Sequence, residues 1–318
     1  MSLRLEIVTP VHNRCEETLQ CLRSLARSEL PGVSVHIIIV DDGSTDGTSE
    51  HVGREFPDVQ IIPGDGNLWY TAGTNRGIEA AMKREPDYVL AINNDTIFDA
   101  DCIRYLIECA EANPRSIVGP LLLDREVPHK IFQVAPRWEF WRGGMRHWHK
   151  QTVWTVPDRA FQVELIVGNC VLYPAKAIKE AGLMNERRLV QYGDAEYTPR
   201  MRRMGWQLLI DTRARAFCKP NDVITGYRKL SLADKLRASL FTPAGPYSLK
   251  RRLYMNLGGA PNWVEAMLAI PVFYGLVLIG MNPEGRWALE QDEPPLSEIF
   301  ADRTAKAVTA SKSLKVSL

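Results

Sequence analysis

The amino-acid sequence predicts an α/β fold, with a mostly parallel central sheet flanked by helices and a helical extension on its C-terminal side. In the first half of the chain, short apolar runs alternate with amphipathic segments, as strands and crossover helices do in such a sheet. The run at 35–40 is apolar at all positions but one, which is typical of a strand buried on both faces. Polar clusters follow the predicted strands directly, and that edge of an open α/β sheet is where ligands bind.

The hydrophobic periodicity places the individual elements along the chain. Strands are expected at 3–8, 35–40, 59–62, 88–92 and 161–167, and helices at 16–28 and 74–83. Pro174 is expected to open a further helix, and Pro199 to delay the start of another. The chain divides into a domain at 1–225, a helical region at 226–290 and a polar tail at 291–318.

Composition excludes some classes of partner. The 39 Lys and Arg residues balance 38 Asp and Glu residues, so the overall charge gives no case for nucleic-acid binding. The six cysteines form no C-x-x-C pair, which favours reduced thiols in a cytoplasmic protein over a zinc site or a disulfide framework.

An apolar segment at 266–281 carries no charged residue. It is shorter than the roughly 20 residues that a membrane-spanning helix needs, and Pro271 interrupts it. A buried helix, a homodimer interface and a helix lying on the inner face of the cytoplasmic membrane remain open.

The first polar cluster runs from Asp41 to Ser44 at the end of a buried strand. Adjacent carboxylates there lose hydration unless something pairs with them. One reading is a turn with Asp and Gly in their usual places. The other is a carboxylate that accepts hydrogen bonds from a nucleobase or a ribose.

The second cluster is Asn93, Asn94 and Asp95, again after a buried strand. Its residues suit a turn, but Asp95 is also a hard oxygen ligand at a place where a diphosphate could share a divalent cation. Mg²⁺ and Mn²⁺ prefer oxygen ligands of this kind.

The third cluster is a glycine-rich stretch from Gly64 to Gly77. Gly73 and Gly77 permit tight turning and a close approach of the backbone to a ligand. The spacing fits neither the dinucleotide fingerprint nor the P-loop, which disfavours a nicotinamide-dependent or ATP-hydrolysing enzyme.

The fourth cluster, Tyr192 to Tyr197, places Asp194 before a basic helix. A carboxylate at a helix start is stabilised by the helix dipole. A carboxylate that faces an acceptor hydroxyl serves instead as a general base.

Taken together and in this order, the clusters resemble the motifs of family 2 glycosyltransferases, and most of all those of bacterial rhamnosyl- and galactofuranosyltransferase-like members. The resemblance covers about residues 5–220, and its motifs are specific jointly rather than singly. The matching segments are 9–14 (TPVHNR), 40–48 (VDDGSTDGT), 66–77 (GNLWYTAGTNRG), 93–95 (NND) and 194–196 (DAE).

The resemblance implies a GT-A fold and a bound Mg²⁺ or Mn²⁺. The implied reaction is inverting transfer of a sugar from a dTDP- or UDP-linked donor, with rhamnose as the sugar. The acceptor would be a hydroxyl of a glycan or a lipid-linked molecule in bacterial surface polysaccharide synthesis. Residues 1–95 would form the nucleotide-binding half of the catalytic domain and 96–225 the acceptor half.

The resemblance also implies residue roles. Asp194 stands at the position of the catalytic base and Asp95 at that of the metal ligand, with Asn93 in the place of the family's first Asp. The implied nucleotide-binding residues are Thr9, Pro10, Asn13, Asp42, Gly43, Asn67, Trp69, Gly73, Asn75 and Asn94. Glu196, Trp138 and Trp141 are predicted to contact the acceptor, although packing explains the two tryptophans equally well.

Two departures from the family pattern bear on the function. Gly193 replaces the first carboxylate of the acidic pair, and Cys218 stands where many relatives carry a metal-binding His. A soft thiol suits Mg²⁺ poorly. A catalytically inactive homologue that binds nucleotide sugars is therefore the alternative, whereas a sugar-phosphate nucleotidyltransferase lacks its glycine-rich N-terminal signature here.

Overall fold

One mixed sheet organises the part of the chain that the computed structural model describes, namely residues 2–148, 151–219, 231–241 and 247–278. The strands are β1 (Leu3–Val11), β2 (Val33–Asp41), β3 (Gln60–Pro63), β4 (Tyr88–Ile92), β5 (Ile97–Phe98), β6 (Ser116–Asp124), β7 (Ile131–Glu139), β8 (Gly144–Trp148), β9 (Phe161–Gln162), β10 (Cys170–Pro174) and β11 (Gln207–Cys218). The helices are α1 (Cys15–Leu25), α2 (Thr48–Glu55), α3 (Trp69–Met82), α4 (Cys102–Ala112), α5 (Ala175–Ala181), α6 (Asp194–Arg203), α7 (Leu232–Phe241), α8 (Leu249–Gly259) and α9 (Trp263–Leu278).

The strand order is β3-β2-β1-β4-β10-β6-β11-β5. The first four strands are mutually parallel, and β6 is parallel to β11. β10 runs antiparallel to its neighbours β4 and β6, and the short edge strand β5 runs antiparallel to β11. The mostly parallel sheet is therefore confirmed, and the reversal of β10 brings its amino end to the same edge as the carboxyl end of β4, with Cys170 opposite Ile92.

Burial follows the apolar runs of the sequence. All five residues of β4 are buried, because this strand lies between β1 and β10 and helices cover both faces of the sheet. Such a strand is apolar on both faces, so its polar residues begin only where it ends, at Asn93.

The structure differs from the sequence prediction at the start of α3. The helix begins at Trp69 rather than near residue 74, because the side chain of Asp42, distant in sequence, caps its first turn. At α6 the predicted delay is wrong. The helix begins at Asp194 and retains Pro199 in its interior, at the cost of the hydrogen bond that this proline cannot donate.

The stretch at 161–167 also differs from expectation, because it contributes only the short strand β9. Trp138 and Trp148 lie on a β-hairpin of β7 and β8, although the sequence of this segment shows little period-2 alternation. Pro174 lies immediately before α5, as its N-cap residue.

The last two helices both pack against the sheet domain: α8 contacts α6, and α9 contacts α8, residues 140–142 and β8. Arg251 and Arg252 on α8 are 6% and 5% exposed, so these two basic side chains are buried against the domain. Among the described residues, no helix combines the length and hydropathy needed to cross a membrane. The predicted domain boundary at 225, residues 279–281 of the apolar segment and the tail at 291–318 lie outside the described residues.

Candidate functional site

Asp42, at the carboxyl end of β2, is 5% exposed and holds the loop that leads into α3. Its Oδ1 accepts the backbone N–H of Gly66 at 2.8 Å, and its Oδ2 accepts those of Leu68 and Trp69 at 2.9 and 3.1 Å. The amides of Leu68 and Trp69 lack partners within α3, and a negative charge at a helix start is favourable. The carboxylate is thus engaged by three backbone N–H groups of the protein, and the contact with a base that the resemblance implies stays a prediction.

Asp41 behaves as a turn residue. Its carboxylate accepts the backbone N–H of Ser44 at 2.9 Å and the hydroxyl of Ser49. Gly43 has φ +71°, and a Cβ there would lie 3.2 Å from the Cα of Gly66. This glycine therefore permits a close approach between two loops, and the nucleotide contact predicted for it stays a prediction.

Close packing also explains the glycines of α3. A Cβ at Gly73 would lie 2.8 Å from Cβ of Pro10, and one at Gly77 would lie 3.1 Å from Cβ of Val8. Both glycines let α3 approach β1, so the close partner in this structure is a strand. Thr9 is 2% exposed beneath this contact.

Asn75 has a structural role in this protein. Its side chain is 3% exposed, donates to the carbonyl oxygen of Met184 and to Glu186, each at 2.9 Å, and accepts the backbone N–H of Met184 at 3.0 Å. The amide therefore anchors the segment before α6, and its contact with a nucleotide stays a prediction.

Asn13 connects two loops at the sheet edge. It donates its backbone N–H to Ser44 Oγ at 2.7 Å, and its Oδ1 accepts the N–H of Thr45 at 2.9 Å. By contrast, Asn67 is exposed and Trp69 is 51% exposed. These two side chains face solvent, whereas most of the other predicted nucleotide contacts support the scaffold.

The turn after β4 carries the predicted metal ligand. Asp95 pairs with Arg14 through an Nη1–Oδ2 contact of 2.8 Å, and its side chain is 22% exposed. Asn94 instead donates to Thr18 Oγ1 at 2.9 Å, so its amide points to α1. Asn93 Oδ1 is buried and has no hydrogen-bond partner within the described part of the chain.

These donors fit a divalent cation only if a ligand supplies the remaining ones. Within the described residues, no group of three or more His, Cys, Asp or Glu side chains could hold a metal ion. Asp95 and Asn93 offer hard oxygens, and Mg²⁺ is often held by one or two carboxylates together with substrate phosphates. Cys218 is 2% exposed, with its Sγ 3.7 Å from Thr96 Oγ1, so it lies behind this turn, where the resemblance expects a histidine.

Asp194, the first residue of α6, is 8% exposed. Its Oδ2 accepts the backbone N–H of Gly168 at 2.8 Å. Burial raises the pKa of this carboxyl, and the Gly168 hydrogen bond opposes part of that rise. A carboxylate whose pKa is raised by desolvation is a better proton acceptor than an ordinary aspartate.

Two residues that sequence reasoning missed, Gly168 and Asn169, join the separate parts of the site. Asn169 accepts the backbone N–H of Asn93 at 3.0 Å, and Gly168 accepts the hydroxyl of Tyr70 at 3.3 Å. Since Gly168 also donates to Asp194, one loop connects the turn of Asp95 with the buried carboxylate. In the sequence, the polar pair Gly168-Asn169 stands directly before the apolar run at 170–173, and this pattern could have indicated a site loop next to a buried strand.

Space explains why Gly193 replaces the first carboxylate of the acidic pair. A Cβ at Gly193 would lie 2.6 Å from Thr71 Cγ2 and 2.8 Å from Thr71 Oγ1. Its backbone N–H donates to the same hydroxyl at 3.2 Å. A larger residue would displace Thr71, so the departure from the family pattern is accommodated locally.

The predicted acceptor residues have unequal surroundings. Glu196 forms an ion pair with Arg200 at 3.0 Å and packs against Gly258 of α8. The Trp138 ring lies next to Gly259, where a Cβ would be 3.6 Å away, as packing requires. Trp141 is 60% exposed, which leaves its indole accessible.

The comparison with known proteins agrees with this architecture. Residues 6–162 match the model of Glycosyl transferase family 2. The N-acetylglucosaminyl-diphospho-decaprenol L-rhamnosyltransferase of Mycobacterium tuberculosis is 28% identical over 54% of this chain and 62% of its own length. The low-salt glycan biosynthesis hexosyltransferase Agl10 of Haloferax volcanii is 24% identical over 61% of this chain and 60% of its own. The chain thus spans less than two thirds of the length of these curated relatives.

Solved structures share the fold at low identity. The mannosyltransferase PcManGT from Pyrobaculum calidifontis, in complex with GDP-Man and Mn²⁺, has a TM-score of 0.52 and 14% identity over 97% of this chain and 81% of its own. GalNAc-T7 with UDP, GalNAc and Mn²⁺ has a TM-score of 0.55 and 10% identity over 91% of this chain and 57% of its own. The fold is GT-A-like, as the resemblance implies. Residues 6–162 of this chain therefore form a glycosyl transferase family 2 domain.

Proposed function

We propose that this protein transfers a sugar, with inversion, from a nucleoside-diphosphate sugar to a hydroxyl of a glycan or lipid-linked acceptor. The observation that carries the proposal is the Gly168–Asn169 loop, which is hydrogen-bonded to the Asp95 turn on one side and to Asp194 on the other. A leaving group at Asp95 and an acceptor at Asp194 would then be fixed relative to each other, which is the main requirement for a displacement reaction.

In the proposed reaction, Asp194 accepts the proton of the acceptor hydroxyl. Its Oδ2 is held by Gly168, so Oδ1 is the oxygen that takes the proton. The acceptor oxygen forms a bond to the anomeric carbon while the bond from that carbon to the diphosphate oxygen breaks, and the electron pair leaves with the nucleoside diphosphate. Attack on the opposite face, without a covalent intermediate, inverts the configuration.

Asp95, Asn93 and Arg14 would serve the leaving group. Asp95 and Asn93 would hold a divalent cation, which when bound would neutralise the charge that develops on the leaving diphosphate. Asp95 holds Arg14 next to this position at 2.8 Å, so the guanidinium can contribute a second positive charge to the same phosphates.

The donor is proposed to be dTDP- or UDP-linked, with rhamnose as the sugar. Support comes from the name of the Mycobacterium tuberculosis relative, a rhamnosyltransferase of N-acetylglucosaminyl-diphospho-decaprenol. The same name supports a lipid-linked acceptor. A role in surface polysaccharide synthesis follows from that acceptor class.

Replacing Asp95 by alanine is expected to abolish the part of UDP or dTDP binding that Mn²⁺ adds, since this carboxylate is the one acidic ligand proposed for the cation. Calorimetric titration of each nucleotide, with and without Mn²⁺, measures this increment. The matched control is Asp58→Ala, at an exposed aspartate before β3, which should retain the full increment.

If Asp95→Ala responds to Mn²⁺ as the wild type does, Asp95 is not the metal ligand. If the wild type binds but never releases nucleoside diphosphate in the presence of acceptor, the inactive homologue is the better description.

We also propose peripheral contact with the membrane that holds a lipid-linked acceptor. Leu232, Leu236 and Leu240 recur at every fourth residue of α7 and are 62%, 56% and 57% exposed. On α9, Trp263 and Leu268 are 71% and 52% exposed. Exposed apolar stripes of this kind bind bilayer surfaces.

In flotation with anionic liposomes, the wild type is expected to rise with the vesicles, whereas Leu236→Glu combined with Leu240→Glu should remain at the bottom. Two new charges on the apolar stripe oppose its insertion and repel anionic headgroups. Met204→Glu, at an exposed apolar residue after α6, should float as the wild type does. Wild-type protein that stays at the bottom contradicts the membrane contact and leaves the transfer reaction unaffected.

A further inference from the structure

Trp69 combines strain with exposure at the sheet edge. It is the first residue of α3 and has φ +56°, in the left-handed region. This conformation is unfavourable for a bulky side chain and natural for glycine. Nevertheless, the residue is 51% exposed, so about half of its surface is open to solvent.

The strain is concentrated where the site lies. Six non-glycine residues have positive φ in the described part of the chain, and four of them lie in loops of the candidate site: Asn13, Arg14, Trp69 and Tyr192. Strained backbone of this kind persists only where the surroundings hold it, and it occurs preferentially at functional sites. Asn13, Arg14 and Tyr192 each have a partner that uses the side chain, whereas much of the Trp69 indole remains open to solvent.

Asp42 is the group that holds Trp69 in this conformation. Both of its oxygens accept backbone N–H groups of the loop, including that of Trp69 at 3.1 Å. The loop also covers the carboxylate closely, because a Cβ at Gly64 would lie 2.7 Å from Asp42 Oδ1. Asp42 is 5% exposed and both of its oxygens are engaged by the loop, so it presents little surface to the edge of a base.

We propose that Trp69 provides the surface on which the nucleobase of the donor stacks, and that Asp42 is a positioning residue which presents Trp69. This inference rests on the proposed function, because it names the part of the donor that the exposed indole binds. Stacking on an aromatic ring tolerates any base, since every base has a π-face. Selection among bases would then fall to other groups, and Asp42 would not contribute to it directly.

The test measures nucleotide affinity by calorimetry for wild type, Trp69→Gly and Trp69→Phe. Trp69→Gly is expected to weaken UDP and dTDP binding by about 5- to 100-fold, as a lost stacking contact does. Manganese pyrophosphate, which has no base, should bind equally to both proteins. Trp69→Phe should retain most of the nucleotide affinity, because a phenyl ring also stacks.

Two further variants separate binding from structure. Glu85→Gly relieves the same left-handed strain in an exposed turn before β4, where φ is +51°, and should leave nucleotide affinity unchanged. Trp69→Gly should melt within about 2 °C of Glu85→Gly, since glycine removes the strain in both. Asp42→Asn should weaken the binding of UDP, dTDP and GDP by a similar factor, without changing the order of their affinities.

Several outcomes overturn the inference. One is that Trp69→Gly binds UDP and dTDP with an affinity within twofold of the wild type. Another is that Asp42→Asn reverses the order of the affinities for UDP, dTDP and GDP. In both cases, continued sugar transfer by the wild type would leave the proposed function intact. A wild type that binds no nucleotide would overturn the proposed function as well, and so would distinguish the two failures.

Discussion

Replacing Asp194 by asparagine is expected to lower kcat/KM by about 10²- to 10⁴-fold, the usual loss when a general base is removed. Asparagine has nearly the same shape and its oxygen can still accept the N–H of Gly168, so donor binding should remain. Release of nucleoside diphosphate in the presence of acceptor measures the first effect, and calorimetry with UDP and Mn²⁺ the second. A variant that retains wild-type turnover would show that another group accepts the proton.

The same substitution should raise the melting temperature near neutral pH. Burial raises the pKa of Asp194 in the folded protein, so the folded state retains its proton at a pH where the unfolded state has lost it. Between the unfolded pKa and the raised folded pKa, the free energy of unfolding falls as the pH rises. Above that range, the folded state carries the full free-energy cost of a buried, ionised carboxylate. Asparagine removes this cost, and the pH dependence of stability that accompanies it.

A second buried aspartate gives the matched control. Asp211 is 1% exposed but is paired with Arg213 at 2.8 Å, so Asp211→Asn should lower the melting temperature. Opposite shifts for the two Asp→Asn changes would mark Asp194 as a group kept for catalysis at the expense of stability.

In the wild type, kcat/KM should fall as the pH falls through the raised pKa of Asp194, at a pH above the ~3.9 of an ordinary aspartate.

The arrangement of the sheet edge was predictable because it follows from local patterns. Strands β1, β2 and β4 end where apolar runs give way to polar residues, so the sequence alone indicated that Asp42 and Asp95 would lie at one edge. The family motifs added the order in which these clusters occur. None of this depends on contacts between residues far apart in the chain.

The side-chain roles were less predictable because they depend on such contacts. Asp42 caps a helix that begins 27 residues later, and Asn75 binds a segment more than 100 residues away. Gly73 is required by Pro10, although a glycine in a motif suggests a ligand equally well. A motif therefore identifies the residues of a site without dividing them between those that touch the ligand and those that hold the scaffold.

Gly168→Ala is expected to damage the site, because the surroundings of Gly168 leave no room for a methyl group. A Cβ at this position would overlap Tyr70 Oη and lie 2.9 Å from Cβ and Cγ of Asp194. Overpacking of this kind costs about 1–3 kcal/mol of stability. The displacement of Asp194 should lower kcat/KM by about 10²-fold, as small errors in position do. Thermal unfolding and the nucleoside diphosphate release assay measure the two effects.

Gly53→Ala introduces the same methyl group at an exposed position of α2, where nothing lies within 4 Å of the new Cβ. It should stabilise the protein by about 0.5–1 kcal/mol through helix propensity and leave activity unchanged. If Gly168→Ala were as active as Gly53→Ala, the loop of Gly168 and Asn169 could not be what fixes the base relative to the leaving group. Retention of Mn²⁺-dependent nucleotide binding in an inactive Gly168→Ala would instead place its effect on the acceptor side, because the Asp95 turn is held by Asn169 and not by Gly168.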